Sequence, residues 1–334
     1  MTSYIARRLL LLIPTVFGAL SFLFVLFFML PGDPATQIAG ADRVARPEVL
    51  KLINDRYGLD DPVPEQFVNY WKNTIQWDLG ESFENRRSVN DILGERSVNS
   101  VRLAIWALII EVIVGISVGL WSAIRRYSFS DRLTTIATAG ASAIPAFVLG
   151  FLLQYATAVT PNKQDWPEFF QLRTSGLGPD EWTLFFIPVG EQWRYLILPA
   201  VTLACVSTAL AARMMRGSML EVLRADYMRT ARSKGLSERG VILRHGLRNA
   251  LIPVVTLIGI DFGTVIGAAV LTETVFTWPG LGSQIADSVI DRDLPVLLGL
   301  TLAVVIAFAI INLIVDLSYA WFDPRIRLGQ EGER

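Results

Sequence analysis

The sequence predicts an all-α membrane protein of six transmembrane helices, with both termini cytoplasmic and a small extracytoplasmic subdomain after the first helix. Three observations predict it. Hydrophobic residues make up 52% of the 334 residues and charged ones only 18%. The apolar residues gather into six blocks, each long enough to cross a hydrocarbon core of about 30 Å, and none alternates as a strand would. The short connections segregate charge: seventeen Lys and Arg residues fall on one side of the predicted membrane and four on the other. Such an asymmetry puts the basic side, and both termini, in the cytoplasm.

The first block, residues 9–30, follows Arg7 and Arg8. A secretory signal has the same polarity but an apolar core of roughly 7–15 residues. A helix of this length spans roughly 33 Å and is read as a retained membrane helix. Residues 31–98 mix Pro, Asp and aromatic residues and carry more acids than bases. They form the predicted subdomain, with a helical stretch over 65–77, so that residues 1–98 make one part of the chain. A core over 99–322 holds the remaining five spans, at 101–124, 133–160, 195–215, 250–271 and 294–319. Pro14, Pro145, Pro199 and Pro253 lie in or at the ends of spans, where membrane helices tolerate them. Residues 161–192 form a polar extracytoplasmic insertion with Trp166 and Trp182. Residues 323–334 are a cytoplasmic tail.

The connection over 214–249 is the most informative. It holds nine basic residues if Arg213 at its edge is counted, against the acids Glu221, Asp226 and Glu238. Asp226 to Lys234 can form a short helix with an acidic start and a basic end, which suits the helix dipole. Gly235 supplies a C-terminal stop, and a second helix from about Glu238 leads back to the membrane. A purely lipid-binding loop needs only the charge. A helix, a glycine break and a second helix make a rigid element suited to docking on another protein.

Within the spans, Gly259, Gly263 and Gly267 recur every four residues and let a neighbouring helix approach, within the subunit or from a second one. Gly115 and Gly119 make a weaker case. Glu111 and Asp261 lie inside apolar spans, where an acid facing lipid costs about 2.5–3.5 kcal/mol. Both are expected to face the bundle interior or a solute path, or to serve as hydrogen-bonded structural acids. Trp278, Pro279, Gly280 and Gly282 suit a tight re-entrant turn or an external loop outside the fifth span.

Several classes of chemistry are excluded. One cysteine, Cys205, and one histidine, His245, rule out an intrachain disulfide and the usual paired-ligand metal motifs. The four lysines, Lys51, Lys72, Lys163 and Lys234, stand in no G-x-x-x-x-G-K-[ST] pattern. No nucleophile elbow or triad is recognisable, and no catalytic or metal-ligating residue is assigned.

The stretch ADYMRTARSKGLSERGVILRHGLRNALIPVV resembles the EAA loop of the dipeptide, oligopeptide and nickel permeases, the membrane subunits of ABC importers. LPGDPA at 30–35, YGLDDPVPEQF at 57–67, DLGESF at 78–83, ETVFTWPGLG at 273–282 and DPRIR at 323–327 resemble further family signatures in the right order. Aligning on Gly235 puts the E-A-A at Arg229, Thr230 and Ala231, so only the second alanine is kept. The later I-x-L-P falls on His245 to Arg248 as another partial match.

The resemblance implies a permease subunit in a bacterial inner membrane. Its coupling loop, with Glu221, Asp226, Tyr227, Arg229, Thr230, Ala231, Lys234 and Gly235, would dock through its short helix on an ATPase. It also implies a second homologous permease, two ATPase subunits that hold ATP and Mg, and an extracytoplasmic solute-binding protein. This chain would carry no cofactor of its own and touch lipid but no nucleic acid. The turn at Trp278–Gly280 would approach the outer gate. Peptides are the implied solute, with nickel chelates and oligosaccharides as alternatives. An ion-gradient transporter using Asp261 or Glu111 remains the rival mechanism.

Overall fold

The computed structural model describes residues 2–28, 51, 54, 58, 60–82, 84–159, 172–178, 187, 188, 190–291 and 293–322. Among them the regular secondary structure is helical, with isolated bridge residues at Glu81, which pairs with Ser88, and at Ile187. The chain divides into two compact units, one of residues 1–100 with 279–313 and one of 101–278 with 314–334. Parts of the predicted subdomain and insertion, and the whole tail over 323–334, lie outside the described residues.

In the first unit, α1 (Thr2–Phe28) contains Pro14 without ending there. Helix α2 (Val63–Ile75) begins two residues before the predicted stretch. Pro62 and Pro64 sit at its start, where a missing N–H costs nothing. Trp77, at the predicted end, has φ 59° and lies beyond the helix. Leu20 and Leu23 of α1 pack with Leu298 and Leu302 of α11 (Leu294–Phe322), and Tyr70, Trp71 and Leu79 join that cluster. Beside it, Val89 and Ile92 bury against Val296 and Leu300. The Ser82 hydroxyl donates to the buried Asp293 carboxylate.

The second span begins early, as α3 (Val89–Ile110), and passes through a π-helical turn at Glu111–Gly115 into α4 (Ile116–Ile124). The predicted third span is not one helix. It is α5 (Phe129–Ala143) and α6 (Ala146–Gln154), and the axis bends by 108° between them. Pro145 donates no backbone N–H, and it forces Ile144 to φ −93° and ψ 127°, the extended conformation favoured before proline.

Helix α7 (Gln192–Leu223) is longer than its predicted span, and the first ten residues of the 214–249 connection belong to it. Two apolar clusters run along it, one around Leu196, Ala200, Leu203 and Ala204, the other around Ala211, Met215 and Met219. Helix α8 (Asp226–Ser233) follows, then a helical turn at Glu238–Gly240 and a π-helical turn that open α9 (Leu247–Val275). After α9 comes α10 (Leu281–Ile290). Gly282, expected in a turn, is therefore inside a helix. Four described helices are long and apolar enough to cross a membrane, or five if α5 and the helix after it form one broken span.

The glycines divide differently from expectation. A Cβ on Gly115 would stand 2.8 Å from the Ala211 Cβ, and one on Gly119 would stand 2.7 Å from the Met215 Cβ with the Ala212 carbonyl closer still. Those two, ranked lower from sequence, mark the tightest helix approach to α7. In α9, Gly263 is buried, Gly259 half-buried and Gly267 exposed, with nothing within 4 Å of a Cβ at Gly267. Among the described residues the three differ in burial along α9. Overpacking of a close-packed site costs about 1–3 kcal/mol. Gly119→Ala is therefore expected to lower the thermal unfolding midpoint of the detergent-solubilised chain, whereas Gly267→Ala leaves it where it was.

Candidate functional site

The connection between α7 and α9 is built as a mounted helix. Met228 and Ala231, three residues apart and so on one face of α8, are buried against Val241 and against Val222 and Leu223 at the end of α7. Gly246 lies beneath them, where a Cβ would meet the Met219 and Met228 methyls at 2.8 and 3.1 Å. The other face is solvent-exposed and carries Asp226, Tyr227, Arg229, Thr230, Arg232 and Ser233.

The ends are fixed by backbone hydrogen bonds and one ion pair. The Lys234 N–H donates to the Thr230 carbonyl at 3.1 Å, and the Gly235 N–H donates to that of Arg232 at 3.0 Å. Gly235 adopts φ +76°, the left-handed conformation that closes helices and favours glycine. Ser237 then caps the next turn by accepting from the Gly240 N–H at 3.3 Å. Arg232 grips Glu238 with two bonds, of 3.1 and 2.9 Å, across the glycine break. The Tyr227 hydroxyl accepts from the Asn249 side chain at 3.1 Å, tying the start of α8 to α9.

The structure brings most of the named residues together. Helix α8 runs from Asp226 to Ser233, with Lys234 as its cap and Gly235 as its stop. Glu221 is exposed on the last turn of α7. Ala231 lies beneath the helix, so it positions the exposed face rather than forming part of it. Met228 was missed, although it is the only large apolar residue among the eight of α8.

A second tie was also missed. Asp131, in the first turn of α5, is 3% exposed and receives both prongs of Arg216 at 2.7 and 2.9 Å. It also accepts from the Ser122 hydroxyl at 2.5 Å and the Tyr127 N–H at 2.9 Å, while Arg213 donates to the Thr138 carbonyl at 3.2 Å. These bonds bind α4 and α5 to the stretch of α7 above α8. The signal was a lone acid among Arg125, Arg126 and Arg132.

The intramembrane acids lie elsewhere. Glu111 opens the π-helical turn and is 1% exposed. Asp261 is half-buried on α9. Trp278 is wholly buried in the cluster around Leu103, Leu196 and Ala204. Thr277 before it takes φ 47°. The Trp278–Gly280 turn is thus an anchored corner and not an open external loop. The Gln154 side chain donates to the carbonyls of Thr174 and Val275 at 3.3 and 3.0 Å, seating a described part of the insertion beside the end of α9. Among the described residues no cluster of three or more His, Cys, Asp or Glu side chains could hold a metal ion.

Residues 115–328 match the model of the binding-protein-dependent transport system inner membrane component, and residues 1–104 match that family's amino-terminal region. The chain belongs to this family of ABC transporter permeases. The family's membrane components are proteins of the bacterial inner membrane, and this permease is a multi-pass one. It is 42% identical over 328 residues, 98% of this chain and 99% of theirs, to the glutathione transport system permease protein GsiC of Escherichia coli strain K12 and that of Shigella dysenteriae serotype 1. The crystal structure of an amino acid ABC transporter with histidines superposes with a TM-score of 0.48 at 14% identity, covering 69% of this permease and 94% of that chain. As an ABC importer permease it leaves no place for the ion-gradient rival.

Breaking a buried ion pair by removing one partner costs about 3 kcal/mol. Arg216→Met, which strands the Asp131 carboxylate, is expected to destabilise the purified permease by that amount in chemical denaturation. Arg232→Met breaks an exposed pair and is expected to leave the midpoint nearly unchanged.

Proposed function

We propose that this permease is one of two homologous subunits, different in sequence, that together form the path of an ATP-driven importer of short peptides. The observation that carries the reading is α8, a short helix fixed on its apolar face and offering a polar one, as a docking lever must be. Its partners would be two ATPase subunits, which hold ATP and Mg, and an extracytoplasmic solute-binding protein that delivers the solute. This chain would hold no cofactor and would meet lipid, not nucleic acid. In this reading α1, α3 with α4, the bent pair, α7, α9 and α11 are six spans with both termini cytoplasmic. Residues 31–98 and 161–192 are then extracytoplasmic, and 214–249 forms the cytoplasmic coupling loop.

Peptides are favoured because the relatives named above are glutathione permeases, and glutathione is itself a tripeptide. The motifs of the peptide branch agree. Nickel chelates and oligosaccharides are the alternative solutes. Asp261 and Glu111 would line the path and favour solutes bearing a cationic group, and Trp278, Pro279 and Gly280 would brace its outer end. Exposed Gly267 would meet the second permease.

Two experiments test the reading. Gly235→Pro cannot keep a positive φ, and Ala231→Trp overfills the seat of α8. Both are expected to leave ATP hydrolysis by the reconstituted complex running while peptide uptake into proteoliposomes falls at least tenfold. Normal uptake in both variants would exclude α8 as the coupling element. Asp261→Asn is expected to weaken uptake of peptides with a free amino terminus more than that of acetylated ones, and an unchanged preference would remove Asp261 from the path.

A further inference from the structure

One arginine of this permease is buried without an acid to hold it. Arg194, in the first turn of α7, is 7% exposed. Its Nε–H has no hydrogen-bond partner among the described residues. The one acid within 4 Å among them is Glu191, whose carboxylate stands 3.7 Å from Nη1 on a side chain 57% exposed, too far for a hydrogen bond. The Trp193 ring centre lies 5.9 Å from the guanidinium carbon, at the outer limit of a cation–π contact. A guanidinium carries five N–H donors in a planar fork that matches a carboxylate. Burying such a charge costs the fold heavily unless an anion pairs with it.

The backbone around Arg194 is firmly held. Residues 172–178 lie against the start of α7, where the Arg173 N–H donates to the Arg194 carbonyl at 3.2 Å and the Gly176 N–H to the Phe276 carbonyl at 3.3 Å. Leu177 packs on the cluster that contains Leu196 and Trp278. Gly178, at φ +81°, sits on the Tyr195 ring, and a Cβ there would come within 2.8 Å of Cδ2. The helix end adds charge of the same sign. Glu191 is the N-cap of α7, and its side chain caps no backbone N–H, so the positive end of the helix is left for an anion. Helical side chains lean toward the N-terminus, and the approach of Nη1 to Glu191 shows the Arg194 fork doing so. Mostly exposed Glu191 marks where this place opens to solvent.

We propose that Arg194 is the receptor for the carboxylate of the incoming solute, the free carboxyl terminus of a short peptide, at the outer end of α7. This rests on the peptide reading above and adds to it a residue that selects by charge. Two parallel N–H···O bonds from the fork would fix the orientation of the peptide as well as its charge. The site is separate from Asp261. Gln154 bonds to both Thr174 and Val275, which sets residues 172–178 level with the end of α9. Asp261 lies fourteen residues before Val275, roughly 21 Å deeper at 1.5 Å per residue. An extended tripeptide spans at most about 11 Å. The two charges therefore act in turn, Arg194 at entry and Asp261 further along, and not on one tripeptide at once.

The test compares uptake of trialanine and of trialanine amide by the assembled importer in proteoliposomes. Arg194→Gln is expected to lower trialanine uptake at least tenfold and uptake of the amide less than twofold. Arg194→Lys, which keeps the charge, is expected to recover part of the trialanine uptake. Equal losses for the two compounds, no loss for either, or no recovery with lysine would overturn the proposal. A second readout needs no solute. An unpaired buried charge weakens the empty protein, so Arg194→Met, which keeps the stem, is expected to hold or raise the thermal midpoint of the complex. A lowered midpoint would mean that the arginine is paired inside the protein, and it would also overturn the proposal. Uptake of neither compound by the unaltered importer would overturn the peptide reading itself. Uptake of trialanine with no selective loss in Arg194→Gln would overturn the receptor alone.

Discussion

The larger unit depends on how closely backbones can approach α7. Its inner residues Ala200, Ala204, Ala209, Ala211 and Ala212 are all nearly inaccessible, and Gly115 and Gly119 on the facing helices remove the last obstacle. In a membrane there is little hydrophobic gain in moving a side chain from lipid to a neighbouring helix. Close packing and satisfied polar groups must therefore supply the cohesion. Small residues on both sides deliver the first. The Arg216–Asp131 pair, with Ser122 and the Tyr127 N–H filling the remaining acceptor positions, delivers the second. A buried ion pair alone is weak evidence of stability. This one has its lone pairs answered, and it holds three helices at one level.

That rigidity bears on α8. In the proposed reading α8 is a lever, and a lever must not bend where it is mounted. The short helix alone would be marginal, since eight residues fall below the length at which isolated helices persist in water. Its stability is borrowed from α7 through Met228 and Ala231, and its ends are closed by Gly235 and by the Arg232–Glu238 clasp. The exposed clasp contributes little energy in water. What it contributes is direction, because it spans the glycine break and fixes the angle between α8 and the turn that follows.

Much of this was legible in the residues, and the reasons are local. The start of α8 at Asp226 and its stop at Gly235 follow from the dipole and from positive φ, which depend on the immediate chain only. Each apolar block became helix for the same reason, since in lipid the backbone has few other ways to satisfy itself. The 108° bend was half legible: Pro145 announces a break, but its angle is set by what α5 and α6 each pack against. The glycines show a related limit. A four-residue spacing shows that three glycines share a face, and it says nothing of whether a helix stands opposite. Gly115 and Gly119 found α7, and Gly267 found no neighbour among the described residues. Trp278 read as a loop residue because Pro and Gly follow it, and its burial depends in part on Leu103, Leu196 and Ala204, side chains far from it in sequence.

Helix α2 shows how neighbours decide which side chains of a mixed sequence are left exposed. Its sequence sets Glu, Gln, Asn and Lys among aromatic residues. The aromatic Phe67, Tyr70 and Trp71 are taken up by Phe17 and Phe24 of α1, and Gln66 is buried. What remains exposed is mixed, with Asn69, Lys72 and Asn73 beside Val68 and Ile75. The pairing of Trp71 on Phe17 and of Phe67 on Phe24 therefore fixes which face α2 turns inward, a choice that its own residues leave open because polar and apolar side chains alternate around it.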